Sequence, residues 1–180
     1  MSEMNQASRT LIGPKCLILS AVIIADNCIG SIQYILGRTV ILLKLNNLRI
    51  MISLLKIAKE YIDRGLVSSV RCSTRPDYTS PEKLDILKGY GVKTIELGLQ
   101  SVSDGVLCLT KRGHTFDDEA RAARLITDSG FTLGGQMMIG LPGSTPEDEL
   151  RTAEFIAKSG ATEARIYPTL VFRDTELCEM

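Results

Sequence analysis

Three polar side chains in the middle of the chain have the chemistry to hold a small ligand. Gln100 follows the apolar run Leu97-Gly98-Leu99, and a primary amide there can both donate to and accept from sugar hydroxyls. Arg112 stands in Lys111-Arg112-Gly113-His114-Thr115, where a guanidinium can grip a carboxylate through two parallel hydrogen bonds. Gln136 lies within Gly134-Gly135-Gln136-Met137-Met138-Ile139-Gly140. The glycines of that run, Gly134, Gly135 and Gly140, let a backbone come close to a flat ring. Taken singly, each has a plainer reading: Gln100 closes a loop, Arg112 is a solvated charge, and the glycines make a tight strand-to-helix turn. His114 is the sole histidine, so a histidine-based triad or zinc site has one possible member, and a loop histidine is expected to be exposed. Gly135 and Gly140 have the spacing of a phosphate-binding loop, but Leu141-Pro142 occupies the place of its Lys and Ser/Thr. That excludes a nucleotide triphosphatase of this kind. Met137 and Met138 are expected in the core of a strand.

The bulk properties narrow the classes further. The 180 residues are 44% apolar and 23% charged, which is the composition of a globular domain with one core. Lys and Arg number 21 against 21 Asp and Glu, so nothing in the net charge favours general binding to nucleic acid or a membrane surface. The apolar stretch Cys16–Ala25 has 10 residues, too few to span a bilayer, and no convincing cleavage site follows it. The five cysteines, Cys16, Cys28, Cys72, Cys108 and Cys178, are 12, 44, 36 and 70 residues apart. No zinc pair or disulfide framework can be read from that spacing, no metal ligand is assigned, and a reducing, cytoplasmic setting fits best.

The elements that must carry these side chains are legible from residue 52 onward. Ile52, Leu55, Ile57, Ala58, Tyr61 and Ile62 form an apolar helical stripe that Gly65 ends. Strands are predicted at Val67–Cys72, Thr94–Leu99, Thr132–Ile139 and Glu163–Pro168. Between them lie helices opened by Ser80-Pro81, by Thr115 with Asp117, Asp118 and Glu119, and by Thr145-Pro146, plus a short helix around Ser103–Thr110. Strands alternating with helices at this spacing predict βαβ units in a parallel sheet, open or rolled toward a barrel. In such folds chemistry sits just after the strand C-termini. Residues 1–50 differ: seven charges, 17 Ile or Leu, and apolar positions with neither a helical nor a strand period. Residues 1–51 are therefore left unassigned, expected to be non-homologous or poorly ordered, and 52–180 are read as one partial core domain.

The motifs are more informative as an ordered set. Arg71-Cys72-Ser73-Thr74-Arg75-Pro76-Asp77, Glu96-Leu97-Gly98-Leu99-Gln100-Ser101, Lys111-Arg112-Gly113-His114-Thr115, Met138-Ile139-Gly140-Leu141-Pro142-Gly143 and Arg165-Ile166-Tyr167-Pro168 occur in this order. The set resembles the radical S-adenosylmethionine superfamily, in the branch of the Elongator catalytic subunit and the oxygen-independent coproporphyrinogen oxidases, over residues 52–177. The resemblance implies an α/β fold, a partial (β/α) TIM-like barrel with parallel strands, incomplete at its N-terminal side. It implies S-adenosylmethionine and a 4Fe–4S cluster as cofactors, and cleavage of the former to a 5′-deoxyadenosyl radical. By position, Gln100 resembles the residue on the cofactor ribose and Arg112 the one on its methionyl carboxylate. Gln136 stands where relatives often have an Asp touching the ribose, and Gly134–Gly140 matches the strand that packs on adenine. Ser73 falls near a Glu that in some relatives holds the amino group.

The family's CxxxCxxC is absent from this sequence. Laying Cys16 on its middle cysteine puts Ile12 and Leu19 at the other two. Neither can bind iron, whereas thiolates are the usual cluster ligands. No residue is assigned a catalytic role. Three readings stand: a truncated radical enzyme without its cluster ligands, a clusterless remnant binding a nucleoside-like ligand, and an accessory subunit whose partner supplies the cluster. An RNA substrate is implied by the resemblance alone, no membrane association is expected, and no protein partner is identified.

Overall fold

The computed structural model describes residues 23–25, 28–30, 39–43 and 48–180. The positions discussed above at Ile12, Cys16 and Leu19 lie outside them. Two short strands, β1 (Ile23–Ala25) and β2 (Cys28–Gly30), pair antiparallel. The rest is a parallel five-stranded sheet in the order β3-β4-β5-β6-β7. Its strands are β3 (Thr39–Leu43), β4 (Ser69–Thr74), β5 (Val92–Gly98), β6 (Thr132–Ile139) and β7 (Glu163–Pro168). The four strands expected from sequence are present, parallel and adjacent. β4 and β5 are each displaced by about two residues, in opposite directions, from the predicted spans. β3 is an addition: residues 1–50 gave no element, yet Thr39–Leu43 pairs in parallel with Ser69–Ser73.

Helices α1 (Leu48–Asp63), α2 (Pro81–Gly89), α4 (Phe116–Asp128) and α5 (Pro146–Lys158) provide the crossovers, with short α3 (Asp104–Leu109), α6 (Glu176–Glu179) and a 3-10 turn at Pro76–Tyr78. Their starts follow the sequence signals. Ser80 accepts from the Lys83 amide with Pro81 in the first turn. Thr115 with Asp118, and Thr145 with Asp148, form reciprocal capping boxes. One helical expectation fails: Ile57 is 44% exposed, and Leu55 and Ala58 carry the buried stripe, flanked by Met51, Leu54 and Ile62.

Alternation along the strands sorts the two faces. Val70 and Cys72 of β4, Ile95 and Leu97 of β5, and Leu133 and Met137 of β6 are buried with Leu55, Leu84, Ala122, Ile126 and Ile156 of the helices. That is the hydrophobic core. Arg71, Ser73, Glu96, Gln136 and Arg165 occupy the opposite, polar face, where they bond to one another. Gly135 belongs to the core side: a Cβ there would stand 2.6 Å from Ile156 Cγ2, so the absent side chain is what lets α5 seat on β6. Met138 departs from the core placement expected for it, since its sulfur meets the Arg112 guanidinium on the polar side at 2.9 Å. Among the described residues no helix is long and apolar enough to cross a membrane.

Candidate functional site

The polar face is organised around one carboxylate. Glu96, 2% exposed, projects from β5 and meets four partners, from its neighbours β4 and β6 and from β7 beyond. Arg71 Nη1 donates to its Oε1 at 2.8 Å, and Arg165 Nη2 lies 2.8 Å from the same oxygen. Ser73 Oγ and Gln136 Nε2 donate to Oε2 at 3.0 and 2.6 Å. Arg71 also grips Glu163 with two bonds of 2.6 and 2.7 Å. The Glu163 and Glu96 carboxylates hold Arg71 above its ordinary basicity, against the opposing effect of burial. Arg71 in turn draws Glu163 below the usual carboxylate range. The Gln136 amide is thereby fixed: its NH₂ is committed to Glu96, leaving its carbonyl oxygen as the free end.

A cleft of about 210 Å³ opens above this network, lined by Ser73, Thr74, Arg75, Pro76, Gly98, Gln100, Arg112, His114 and Gln136. The sequence-predicted Gln100, Arg112 and Gln136 therefore share one cavity at the C-terminal side of the sheet. Gln100 is held at both ends. Its backbone N–H donates to Glu119 Oε1 at 3.1 Å and its side-chain Nε2 donates to the Gln136 backbone carbonyl at 3.3 Å. That folded-back posture needs Gly98, where a Cβ would lie 2.7 Å from Gln100 Nε2. The glycines divide. Gly134 faces the polar side beside Glu96, Gly135 faces Ile156, and Gly140 turns the chain after β6 at φ +72°, its N–H donating to Glu149.

Arg112 carries the site's clearest electrostatic signature. Burial depresses its basicity, the Glu119 carboxylate partly restores it, and the Arg75 cation opposes it again. Its Nε is buried without a hydrogen-bond partner, while Arg75 is taken up by Asp77 at 2.8 Å and by the Arg112 carbonyl at 2.6 Å. A half-buried guanidinium with no bonded carboxylate fits a ligand carboxylate. Behind it, His114 Nε2 lies 3.1 Å from Glu119 Oε1. Contrary to the exposure expected of a loop histidine, the His114 side chain is 3% exposed and that of Glu119 fully buried. Burial pushes the Glu119 carboxyl up, and the bonds from His114 and Gln100 pull it back.

Glu96 and Glu119 were missed as site residues. Glu96 did leave a signal, a charge inside the apolar strand run Ile95-Glu96-Leu97. Glu119 left none beyond a favourable charge in the first turn of a helix.

The described residues do not fit a 4Fe–4S cluster. No three His, Cys, Asp or Glu converge among them. Cys72 is buried on β4, and Cys108 and Cys178 are exposed on α3 and α6. Burial first, and then Glu96, push the Cys72 thiol up to about 12, the reverse of what an iron ligand requires.

Parallel strands, helices on one face and a polar cleft at the strand C-terminal side define the class of (β/α) barrel proteins, here as a partial barrel. A profile of the Radical SAM superfamily matches residues 35–156, and the chain belongs to that superfamily. The match includes β3. Over 110 residues the chain is 37% identical to the tRNA uridine(34) acetyltransferase of Methanocaldococcus infernus, covering 59% of this chain and 21% of the relative. Over 128 residues it is 34% identical to human Elongator complex protein 3, covering 68% and 23%. The solved structure of archaeal Methanocaldococcus infernus Elp3 with an N-terminal deletion superposes with a TM-score of 0.57 at 36% identity, over 62% of this chain and 27% of that one. Coproporphyrinogen III oxidase from Escherichia coli gives a TM-score of 0.58 at 19% identity over 71% and 30%, a likeness of fold alone. The chain spans about a fifth to a quarter of the length of these curated relatives.

Proposed function

We propose that the cleft binds S-adenosylmethionine, and that this chain taken alone does not cleave it. The observation that carries the binding reading is Arg112: a half-buried cation with an unpartnered Nε, facing the same cavity as two fixed amides. In this reading Arg112 holds the methionyl carboxylate. The free carbonyl of Gln136 and the amide of Gln100 take the ribose hydroxyls. The β6 backbone from Gly134 through Gly135 to Gly140 lies along the adenine, Gly135 contributing main chain only. When bound, S-adenosylmethionine would supply the radical chemistry of the superfamily, given a cluster that the described residues do not provide. In this reading Gln100, Arg112 and Gln136 bind and orient that cofactor, while Cys72, Cys108 and Cys178 are too scattered to hold the cluster. A transfer-RNA uridine is the substrate class proposed for the complete activity, by analogy with the named relatives.

The test is equilibrium dialysis of radiolabelled S-adenosylmethionine against the purified chain, alongside anaerobic iron and sulfide reconstitution with counting of both elements. Saturable binding lost on Arg112→Gln, with iron far below four per chain, is the expected result. No saturable binding refutes the cleft assignment. Four iron atoms per chain, lost on Cys→Ala replacement, refute the second half.

A further inference from the structure

We infer that a second cavity, distinct from the cleft, binds a small monocarboxylate, with its short apolar body inside and its carboxylate on Lys83. The cavity lies between α1, α2 and the C-terminal end of β4 and has a volume of about 50 Å³. Leu55 of α1, Leu84 and Leu87 of α2 and Cys72 of β4 wall it and are themselves buried. Cys72 adds to that apolar surface. Burial first, and then Glu96, push its thiol up to about 12, so it stays neutral at ordinary pH. Lys83, Tyr78 and Thr79, all partly exposed, complete the wall. Among its lining residues only Ser73 and Thr74 also border the cleft, so the cavity is a separate space whatever the cleft binds.

Lys83 is the one charged residue among the described lining residues, and no Asp or Glu stands beside it there. Its Nζ donates to the Tyr78 carbonyl at 2.9 Å and lies 5.0 Å from the centre of the Tyr78 ring. Neither contact neutralises the cation, and an ammonium has three N–H groups, of which the carbonyl takes one. The hydroxyls of the wall donate elsewhere: Ser73 to Glu96, and Thr74 and Thr79 to the Arg75 carbonyl. Recognition of a polar head group therefore falls to Lys83. A ligand amine would meet it as a like charge, and a carboxylate as an opposite one. The apolar wall sets the other end of the ligand, since filling it removes hydrocarbon surface from water. As a cavity of about 150 Å³ takes benzene, about two or three carbons fill this one.

The probe is butyrate, with 1-butanol and butylammonium as neutral and cationic controls of the same length. Each is titrated into the full chain carrying methyl-labelled methionine and followed by NMR. Met51 borders the cavity, so its methyl signal, assigned with Met51→Leu, reports occupancy. Butyrate is expected to move that signal saturably, with a Kd in the millimolar range for so small a ligand. Butanol should bind about fivefold more weakly, the scale of one partly exposed ion pair, and butylammonium should leave the signal still. Lys83→Met keeps an unbranched apolar side chain; it should bring butyrate to no better than butanol and leave butanol unchanged. Arg112→Gln should leave the Met51 response to butyrate as it was. A Met51 signal that butyrate does not move saturably overturns the assignment. So does butylammonium binding as tightly as butyrate, or a butyrate preference that survives Lys83→Met. Loss of the response in Arg112→Gln would place the anion in the cleft and overturn it equally. Failure of S-adenosylmethionine to bind bears on the cleft alone.

Discussion

Glu96 is the residue on which the polar face depends. Its four contacts use both oxygens, and its side chain is 3% exposed. Replacing it by Gln removes one buried charge while leaving Arg165 without its carboxylate. Arg71 keeps Glu163. We expect a loss of about 2–4 kcal/mol, read from urea unfolding, together with weaker cofactor binding as the Gln136 amide loses its orientation. Arg112 should behave in the opposite way. Burial works against its charge, so Arg112→Met should leave the urea midpoint unchanged or raise it while abolishing cofactor binding. A variant losing both stability and binding would mark Arg112 as a structural residue. Gln100 was legible as the residue after a predicted strand, Gln136 as the polar residue of a glycine-rich one, and Arg112 only through its motif in the ordered set. Glu96 was not singled out. In a strand of an open sheet with one wet face, a lone charge points to solvent, whereas here that face holds four polar partners. His114 was misread for a related reason, since nothing in its own loop reveals that Glu119 lies beneath it.

At the scale of elements, α5 is placed by two features that can be tested separately. The first is its closeness to β6 at Gly135. Gly135→Ala drives a methyl to 2.6 Å from Ile156 Cγ2 and should cost about 1–3 kcal/mol. Adding Ile156→Ala should recover part of that loss, so the double variant is more stable than the sum of the singles predicts. Strict additivity would show that the two residues do not meet. The second is its cap. Thr145→Ala should cost about 1 kcal/mol of unfolding free energy. The carboxylate of that box, Asp148, is held below its usual range by the bond from Arg151 and then by those from Thr145. Asp118 of the α4 box is lowered chiefly by the Thr115 backbone. A carboxylate with a lowered native value stabilises the fold above its unfolded value of 3.8 and loses that contribution as the pH falls through the native one. The urea midpoint should therefore decline below about pH 4, and less steeply in the Asp118→Asn, Asp148→Asn double variant. These caps were readable because Thr-x-x-Asp is a local code. β3 was not, because Thr39–Leu43 is a short run with no polar alternation, the form a strand in a parallel sheet commonly takes.

Across the described residues, one face of a five-stranded parallel sheet forms the hydrophobic core and the other a carboxylate network with a polar cleft at its C-terminal side. The chain spans about a fifth to a quarter of its relatives' length, and the polar constellation through which superfamily membership was legible lies on that second face. That constellation lies between residues 71 and 165, and the core behind it is built from the same strands. The proposed function requires the cleft to hold S-adenosylmethionine by its carboxylate and its ribose. The most direct measurement is a crystal structure of the chain with S-adenosylhomocysteine. The carboxylate is expected within hydrogen-bond distance of Arg112 and the ribose hydroxyls on Gln100 and Gln136, with adenine along β6. Saturating ligand seated elsewhere, or in the cleft with its carboxylate turned away from Arg112, would contradict it.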